Sequence, residues 1–301
     1  MVNRLTAHTE YGTIEGLIIK KAEAAFINRT FIEDLWKQLN FTAPPDLDQS
    51  LAEYKAFESI LKQYAREIHH LPTDESLTLD SIYCRDAGLF TDHGMIFCQM
   101  GKANRQGEPH AMRVFCEQHS INILGTIEPP GTVEGGDLAW IMEDTLAVGY
   151  TYRTNKEGIR QLKELLHPFF DLHIIEVDLP HYKGPADVFH LMSIFSPVDR
   201  DLAVVYSPLM PIRFRNHLSD LDYHLIEVPD SEFESMGCNV LALAPRICLM
   251  VSGNPVTAAA LRSAGCTVFE YDGQEISLKG GGGPTCLTRP LMRSIKDSGF
   301  Y

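Results

Sequence analysis

Five polar residues recur at nearly regular intervals in otherwise apolar surroundings. They are Asp86, Asp137, His190, Asn239 and Cys286, spaced by 51, 53, 49 and 47 residues. Two carboxylates, an imidazole, an amide and a thiol can together perform nucleophilic and acid–base chemistry, provided the fold gathers them. Glu134, in VEGGDLAW, adds a third carboxylate. Each has a plainer reading by itself. A histidine inside DVFHLMSIF is more often a hydrogen-bonded core residue, Asp137 after two glycines suits a turn, Asn239 can hold backbone groups, and Glu134 can be an exposed acid. The common register is what favours one shared site. Among the seven cysteines, most sit in apolar runs such as MIFCQM and RICLMV and read as small core hydrophobes. Cys286 differs, lying between a run of four glycines and an arginine-bearing strand in GGGGPTCLTRPL. An odd number with no CxxC pair indicates neither a disulfide framework nor a zinc ribbon.

Residues so evenly spaced converge if the chain repeats a structural unit, and the apolar pattern shows one. From Asp137 it reads DLAWIMED, TLAVGYTY, RTNKEGIRQLKELL and LHIIEVDL, which predicts a strand hairpin, an amphipathic helix and a third strand. The order recurs from Asn239 as NVLALAP, RICLMVSG, NPVTAAALRSAG and CTVFEY, where Asn254 is the expected helix N-cap, Pro255 its first residue and Gly265 its stop. It recurs again from Ser81, with its first strand in SIYCRDAGLF, and from His190, with its first strand in HLMSIFSP. The N-terminal part offers the strand EGLIIKK, a helix through SLAEYKAFESILKQYA and the strand REIHHLP. ISLKGGGGPTCLTRPL is expected to supply a strand pair that completes this first unit. The prediction is a closed α/β fan of five strand–strand–helix–strand modules in a single domain, residues 1–301, with the five polar residues near its axis.

Composition bounds the partners. With 45% hydrophobic and 22% charged residues among 301, the chain can bury a sizeable core. No apolar run approaches the ~18 residues of a membrane span, and the N-terminus lacks the apolar core of a signal peptide, so the cytoplasm is the expected compartment. A net charge of −14 argues against nucleic acid and is compatible with a cationic small ligand. A homo-oligomer is compatible with the sequence as well. The glycine run is no phosphate loop, because no Lys-Ser/Thr follows it.

RD (Arg85, Asp86), EGGD (Glu134 to Asp137), HL (His190, Leu191) and GGGGPTCLTRPL around Cys286 resemble, in order and over nearly the whole chain, the arginine deiminase and amidinotransferase superfamily. The resemblance implies a five-bladed α/β propeller that acts on guanidinium groups without metal or cofactor. DSIYCRD (80–86) and the short, uninterrupted chain resemble its dimethylarginine dimethylaminohydrolase branch, whereas GCNVLALAP through GGGGPTC resembles arginine deiminase. Two positions depart from those patterns. Met192 stands where arginine deiminases carry a guanidinium-gripping aspartate, and Arg85 where dimethylarginine hydrolases usually carry glutamate.

The resemblance implies Cys286 as nucleophile, His190 as proton donor and acceptor, and Asp86 and Glu134 as bidentate partners of the guanidinium. It also implies Arg105 and Arg153 as ligands of the substrate α-carboxylate and Asp80 as a ligand of its α-ammonium. Asp137, Asn239, Met192 and Arg85 complete the expected substrate pocket. The segment GMIFCQMGKANRQGEPH is expected to be a mobile loop that closes over the ligand. A hydrolase forming citrulline from a methylated arginine or arginine is the leading expectation. An amidinotransferase and a catalytically silent binding propeller are the rivals.

Overall fold

Short apolar runs bounded by turn residues form strands along the whole chain. The computed structural model, which describes residues 3–187 and 189–296, opens with β1 (Asn3–Thr6) and β2 (Thr13–Ile19). Three helices follow, α1 (Ala22–Phe26), α2 (Arg29–Leu35) and α3 (Leu47–Leu61), and then β3 (Glu67–His70). The sequence reading contained α3 but not the two short helices before it. The second unit is β4 (Gly88–Thr91), β5 (Gly94–Phe97), α4 (Glu108–Gln118) and β6 (Ile123–Thr126). The third is β7 (Leu138–Met142), β8 (Thr145–Tyr150), α5 (Lys156–Leu166) and β9 (His173–Asp178). The fourth is β10 (Phe195–Asp199), β11 (Leu202–Val205), α6 (Ile212–Asp220) and β12 (His224–Glu227), with the short α7 (Asp230–Phe233) after it. The fifth is β13 (Leu241–Ala244), β14 (Ile247–Val251), α8 (Pro255–Ser263) and β15 (Thr267–Tyr271), and β16 (Thr288–Lys296) ends the series.

The strands form five small sheets in a mixed α/β fold. In four of them an antiparallel hairpin is followed, through a helix, by a third strand parallel to the second. The hairpin strands, apolar at successive positions, are buried on both faces: LAVV of β11 and LALA of β13 are buried throughout. The third strands carry partial exposure, as in HIIEVD of β9. No helix among the described residues is long and apolar enough to cross a membrane.

Three expectations need correction. The last stretch supplies one strand, not a pair: 274–278 winds into a π-helical turn, and β16 inserts between β1 and β2. The polar residues of the register, expected at or beside the first strands, lie beside them and not within them. Asp86, Asp137 and the residue after His190 belong to tight 3₁₀ turns (Cys84–Ala87, Gly135–Asp137, Leu191–Ser193) that lead into the first strand of each unit. The physical reason is that a strand packed on both faces has no place for a carboxylate, while such a turn leaves N–H groups free to receive one. Finally, Asn254 occupies the N-cap of α8 but its side chain does not cap it. Glu232 does, accepting from Val256 N at 2.7 Å and Thr257 N at 2.8 Å, while Asn254 Nδ2 donates to Val251 O and Ser235 O.

The glycine run is ordered. Gly281 N and Gly282 N donate to Ser277 O, and only Gly281 of the four has positive φ, at 79°. The other three are required by close approach: a Cβ on Gly280 would lie 2.1 Å from Tyr83 Oη, and one on Gly283 2.5 Å from Asn239. β16 is then fixed to its surroundings by buried arginines. Arg289 Nη1 donates to Gly88 O at 2.7 Å, and Arg293 Nη1 to Gly12 O and Ala242 O at 2.5 and 2.8 Å.

Candidate active site

The tight turns hand their polar side chains to one another. Gly136 N donates to Asp86 Oδ1 at 2.8 Å, and Leu191 N to Asp137 Oδ1 at 3.0 Å, so each acid ties its turn to that of the next unit. Thr151 Oγ1 occupies the other Asp137 oxygen at 2.7 Å. Asn239 Nδ2 donates to Cys286 Sγ at 3.3 Å, and Asn239 Oδ1 accepts from Thr285 N at 3.1 Å and from the Thr285 hydroxyl. Arg85 N donates to Cys286 O at 3.2 Å. Glycine is needed twice where the turns meet: a Cβ on Gly135 would stand 2.2 Å from Arg85 O, and one on Gly136 2.4 Å from His190 Nδ1.

A cavity of about 250 Å³ is lined by Cys286, His190, Met192, Asn239 and Gly136, and by Phe189, Met236, Lys183 and Lys279. Cys286 is the one half-buried cysteine; the other six are buried among apolar side chains. One hydrogen bond behind this wall stand the acids. Glu134 Oε2 pairs with His190 Nε2 at 2.9 Å, Lys102 N donates to Glu134 Oε1 at 3.0 Å, and Arg153 Nη1 lies 3.4 Å from both Glu134 oxygens. Arg105 Nη1 donates to Asp86 Oδ2 at 2.6 Å, and the rest of its guanidinium is held by Glu108, at 2.8 Å twice, and by Tyr83 O. Asp80 receives Lys102 Nζ on Oδ2 at 2.6 Å.

The electrostatics follow from this burial. Desolvation by itself would lower the His190 pKa, but the carboxylates of Asp137, Asp86 and Glu134 outweigh it and raise it to about 9. Burial pushes Glu134 up, yet its bond to His190 and the charges of His190, Arg153 and Arg105 hold it well below the usual carboxylate range. Asp137 is pushed up to about 6 by burial. Burial and the nearby Asp86 also push the Cys286 thiol up, against the Asn239 hydrogen bond. At neutral pH the site thus holds a Glu134 carboxylate, a His190 imidazolium and a protonated thiol.

That ion pair predicts a pH effect on stability. The folded pKa of His190, about 9, lies above its ordinary 6.5. Its stabilising contribution is therefore complete below 6.5 and lost as the pH rises through about 9. Asp137, at about 6, titrates below that window. The melting temperature of the wild type minus that of His190→Asn is expected to fall by several degrees across the window. A flat difference would show that the pair is not ionised in the folded chain.

Every expected site residue is thereby located, and they do not all meet. Cys286, His190, Met192 and Asn239 share the cavity wall, with Asp86 and Glu134 directly behind. Arg85 lines the same cavity, while its Nη2 binds both Glu10 oxygens at 2.9 Å. Asp137 is fully occupied joining two units. The expected lid segment is mostly regular structure: it begins as β5 and ends in α4, and Arg105 and Lys102 pin the part between. Lys102, Glu108 and Glu10 were not among the expected residues. Only Glu108 had a local signal, three residues after Arg105.

One ligand atom each from Asp86, Glu134 and His190 fall within 4.8 Å of one another, a spacing that could hold a metal ion. The acids of this trio are already met by two guanidiniums, Arg105 and Arg153. The same donor set suits a planar organic cation, whose N–H groups pair with carboxylates bidentately.

A family model described as N,N dimethylarginine dimethylhydrolase, eukaryotic, matches residues 26–293. The chain is 28% identical to the uncharacterized protein YkgA of Bacillus subtilis, over 97% of this chain and 96% of that protein. It is 27% identical to N(G),N(G)-dimethylarginine dimethylaminohydrolase of Pseudomonas aeruginosa, over 81% of this chain and 89% of that one. The solved structure of DDAH from Pseudomonas aeruginosa, a cysteine-to-serine mutant complexed with citrulline, matches with a TM-score of 0.74. It covers 93% of this chain and 100% of that one at 22% identity, a likeness of fold.

Proposed function

This chain belongs to the N,N dimethylarginine dimethylhydrolase family of guanidino-group-modifying proteins, and on that premise we propose that it is a cysteine-dependent hydrolase of N-methylated arginine, forming citrulline and an amine. The observation that carries the reading is the joint placement of Cys286, His190 and the apolar Met192 on one cavity wall, backed by Glu134 and Asp86. We read the five sheets as blades of an α/β propeller that acts as one catalytic domain, residues 1–301, in the cytoplasm.

In this mechanism the substrate guanidinium enters between His190 and Cys286, with its N–H groups directed at Asp86 and Glu134. Its positive charge offsets the burial and the Asp86 repulsion that hold the Cys286 proton, and the thiol releases that proton to solvent as the thiolate forms. The sulfur attacks the guanidinium carbon. The His190 imidazolium gives its proton to the departing nitrogen, and the amine leaves a thiouronium on Cys286. Neutral His190 then takes a proton from water as the water oxygen attacks the same carbon. The carbon–sulfur bond breaks, the proton left on the product passes to the departing thiolate, and citrulline and the free thiol form. Arg153, the arginine lining the outer cleft beside Tyr152, binds the α-carboxylate, while Arg105 positions Asp86. Asp80, whose Oδ2 holds Lys102, offers its other oxygen to the α-ammonium.

Met192 supports the methylated substrate. It is 3% exposed and offers no acceptor to an unmodified N–H, which would cost about 1–3 kcal/mol in a buried site. Asn239 does not replace the missing acceptor, because its carbonyl oxygen is taken by Thr285. Purified protein incubated with asymmetric dimethylarginine, monomethylarginine and arginine, followed by citrulline and released amine or ammonia, tests the reading. Citrulline from the methylated substrates supports it. Ammonia from arginine alone would make the chain a deiminase, transfer to an added amine would make it an amidinotransferase, and no product from any of these would sink the proposal. Met192→Asp is expected to shift kcat/KM toward unmodified arginine by roughly 10–100-fold. An unchanged ratio would show that this position does not read methylation.

A further inference from the structure

A second cavity, of about 500 Å³ against about 250 Å³ for the one holding Cys286, lies between the end of β2, the segment 71–77 and the face of α4. The two share no lining residue. Lys20, immediately after β2, lines it and is 1% exposed, yet it has no hydrogen bond or ion pair with any described residue. Ser81 lines it too, 4% exposed, and its buried hydroxyl has no partner. A lysine buried to this degree and a buried hydroxyl, both without partners, are unusual, since each costs free energy unless something accepts from it.

The three acids that line the cavity do not fill that need: Glu75 is exposed and has no ion pair with a described residue. Both oxygens of Glu108 are bound by Arg105 at 2.8 Å, and Asp74 Oδ1 accepts from Ser76 N and Oγ at 2.9 and 2.6 Å. The remaining wall is largely apolar, with Leu71, Leu77, Met112 and Phe115. Unpaired donors and apolar side chains lining one cavity are complemented by a molecule with an acidic head and an apolar body. We propose that this cavity is a second ligand site, taking a small amphipathic carboxylic acid with its carboxylate on Lys20 and Ser81 and its apolar part along Leu71, Leu77, Met112 and Phe115. The volume suits a ligand of ordinary small-molecule size. Burial lowers the Lys20 pKa, against the charges of Glu108 and Asp74, and a bound carboxylate would raise it.

Calorimetric titration of the full chain with octanoate, octanol and octylamine tests the proposal. Octanoate is expected to bind once per chain, about tenfold or more tighter than octylamine, and to do so equally with citrulline present. Lys20→Met is expected to weaken octanoate by about tenfold or more and to leave octanol unchanged. Ser81→Ala is expected to weaken octanoate less, and Lys20→Arg to retain it; these two carry the test if Lys20→Met melts before it can be titrated. No octanoate binding, octylamine binding as tightly, competition by citrulline, or affinity unaltered in both Lys20→Met and Ser81→Ala would overturn it, as would loss of affinity in Lys20→Arg equal to that in Lys20→Met. None of these readouts depends on turnover at Cys286.

Discussion

Cys286→Ser is expected to reduce citrulline formation from a methylated arginine by a factor on the order of 10⁴–10⁶ in kcat. The thiol already lies in a place that opposes ionisation, through burial and the Asp86 charge. A cationic substrate can tip a thiol across that barrier, but not a hydroxyl, whose intrinsic pKa is far higher. Serine keeps an acceptor for Asn239 Nδ2 and leaves the backbone contact to Arg85 N intact, so the fold should survive. Citrulline assays on the variant, with intact-mass measurement of the wild type under turnover, check both halves of the statement. The wild type should show a transient covalent adduct that the serine variant lacks. Turnover retained in Cys286→Ser would remove the cysteine from the mechanism.

Gly136→Ala is the second large effect, expected at about 10²–10⁴ in kcat. The added Cβ would sit 2.4 Å from His190 Nδ1 and 2.9 Å from Asp86 Oδ1, so one methyl group displaces the proposed proton donor and a proposed guanidinium ligand together. Neither can move freely: His190 is tied to Glu134, and Asp86 to Arg105. The position has ordinary φ, so the damage is steric rather than conformational. Circular dichroism should remain native-like while activity falls, and the His190-dependent fall in stability between pH 6.5 and about 9 should change with it. An active Gly136→Ala would mean that the turn yields and that the close packing is not what sets the His190 geometry.

Much of this was visible in the sequence because the repeat makes side chains at one register converge. Asp86, His190, Asn239 and Cys286 could be picked out as polar intrusions in apolar runs, and contacts such as Asn239 Nδ2 to Cys286 Sγ bear out their convergence. What escaped notice was held by contacts distant in the chain. Arg85 binds Glu10, Lys102 reaches Asp80 and Leu39 O, and Glu232 caps α8 in place of Asn254. Nothing at those positions differs from a surface charge in one dimension. Periodicity likewise cannot register the 3₁₀ turns of three or four residues that lead into the first strands, because the same short apolar runs surround them.

The insertion of β16 between β1 and β2 also bears on the order of events during folding. Asn3 pairs with Lys296, and Thr288 with Ile19, across nearly the whole length of the described chain. Contacts so remote in sequence close a long loop and form slowly, whereas the hairpin–helix units between them are local and can form early. Cys286 lies just before β16, so its thiol reaches the cavity only when that strand docks. A refolding chain should therefore regain its helical signal ahead of its catalytic competence, which makes enzymatic activity a clock for the final docking step.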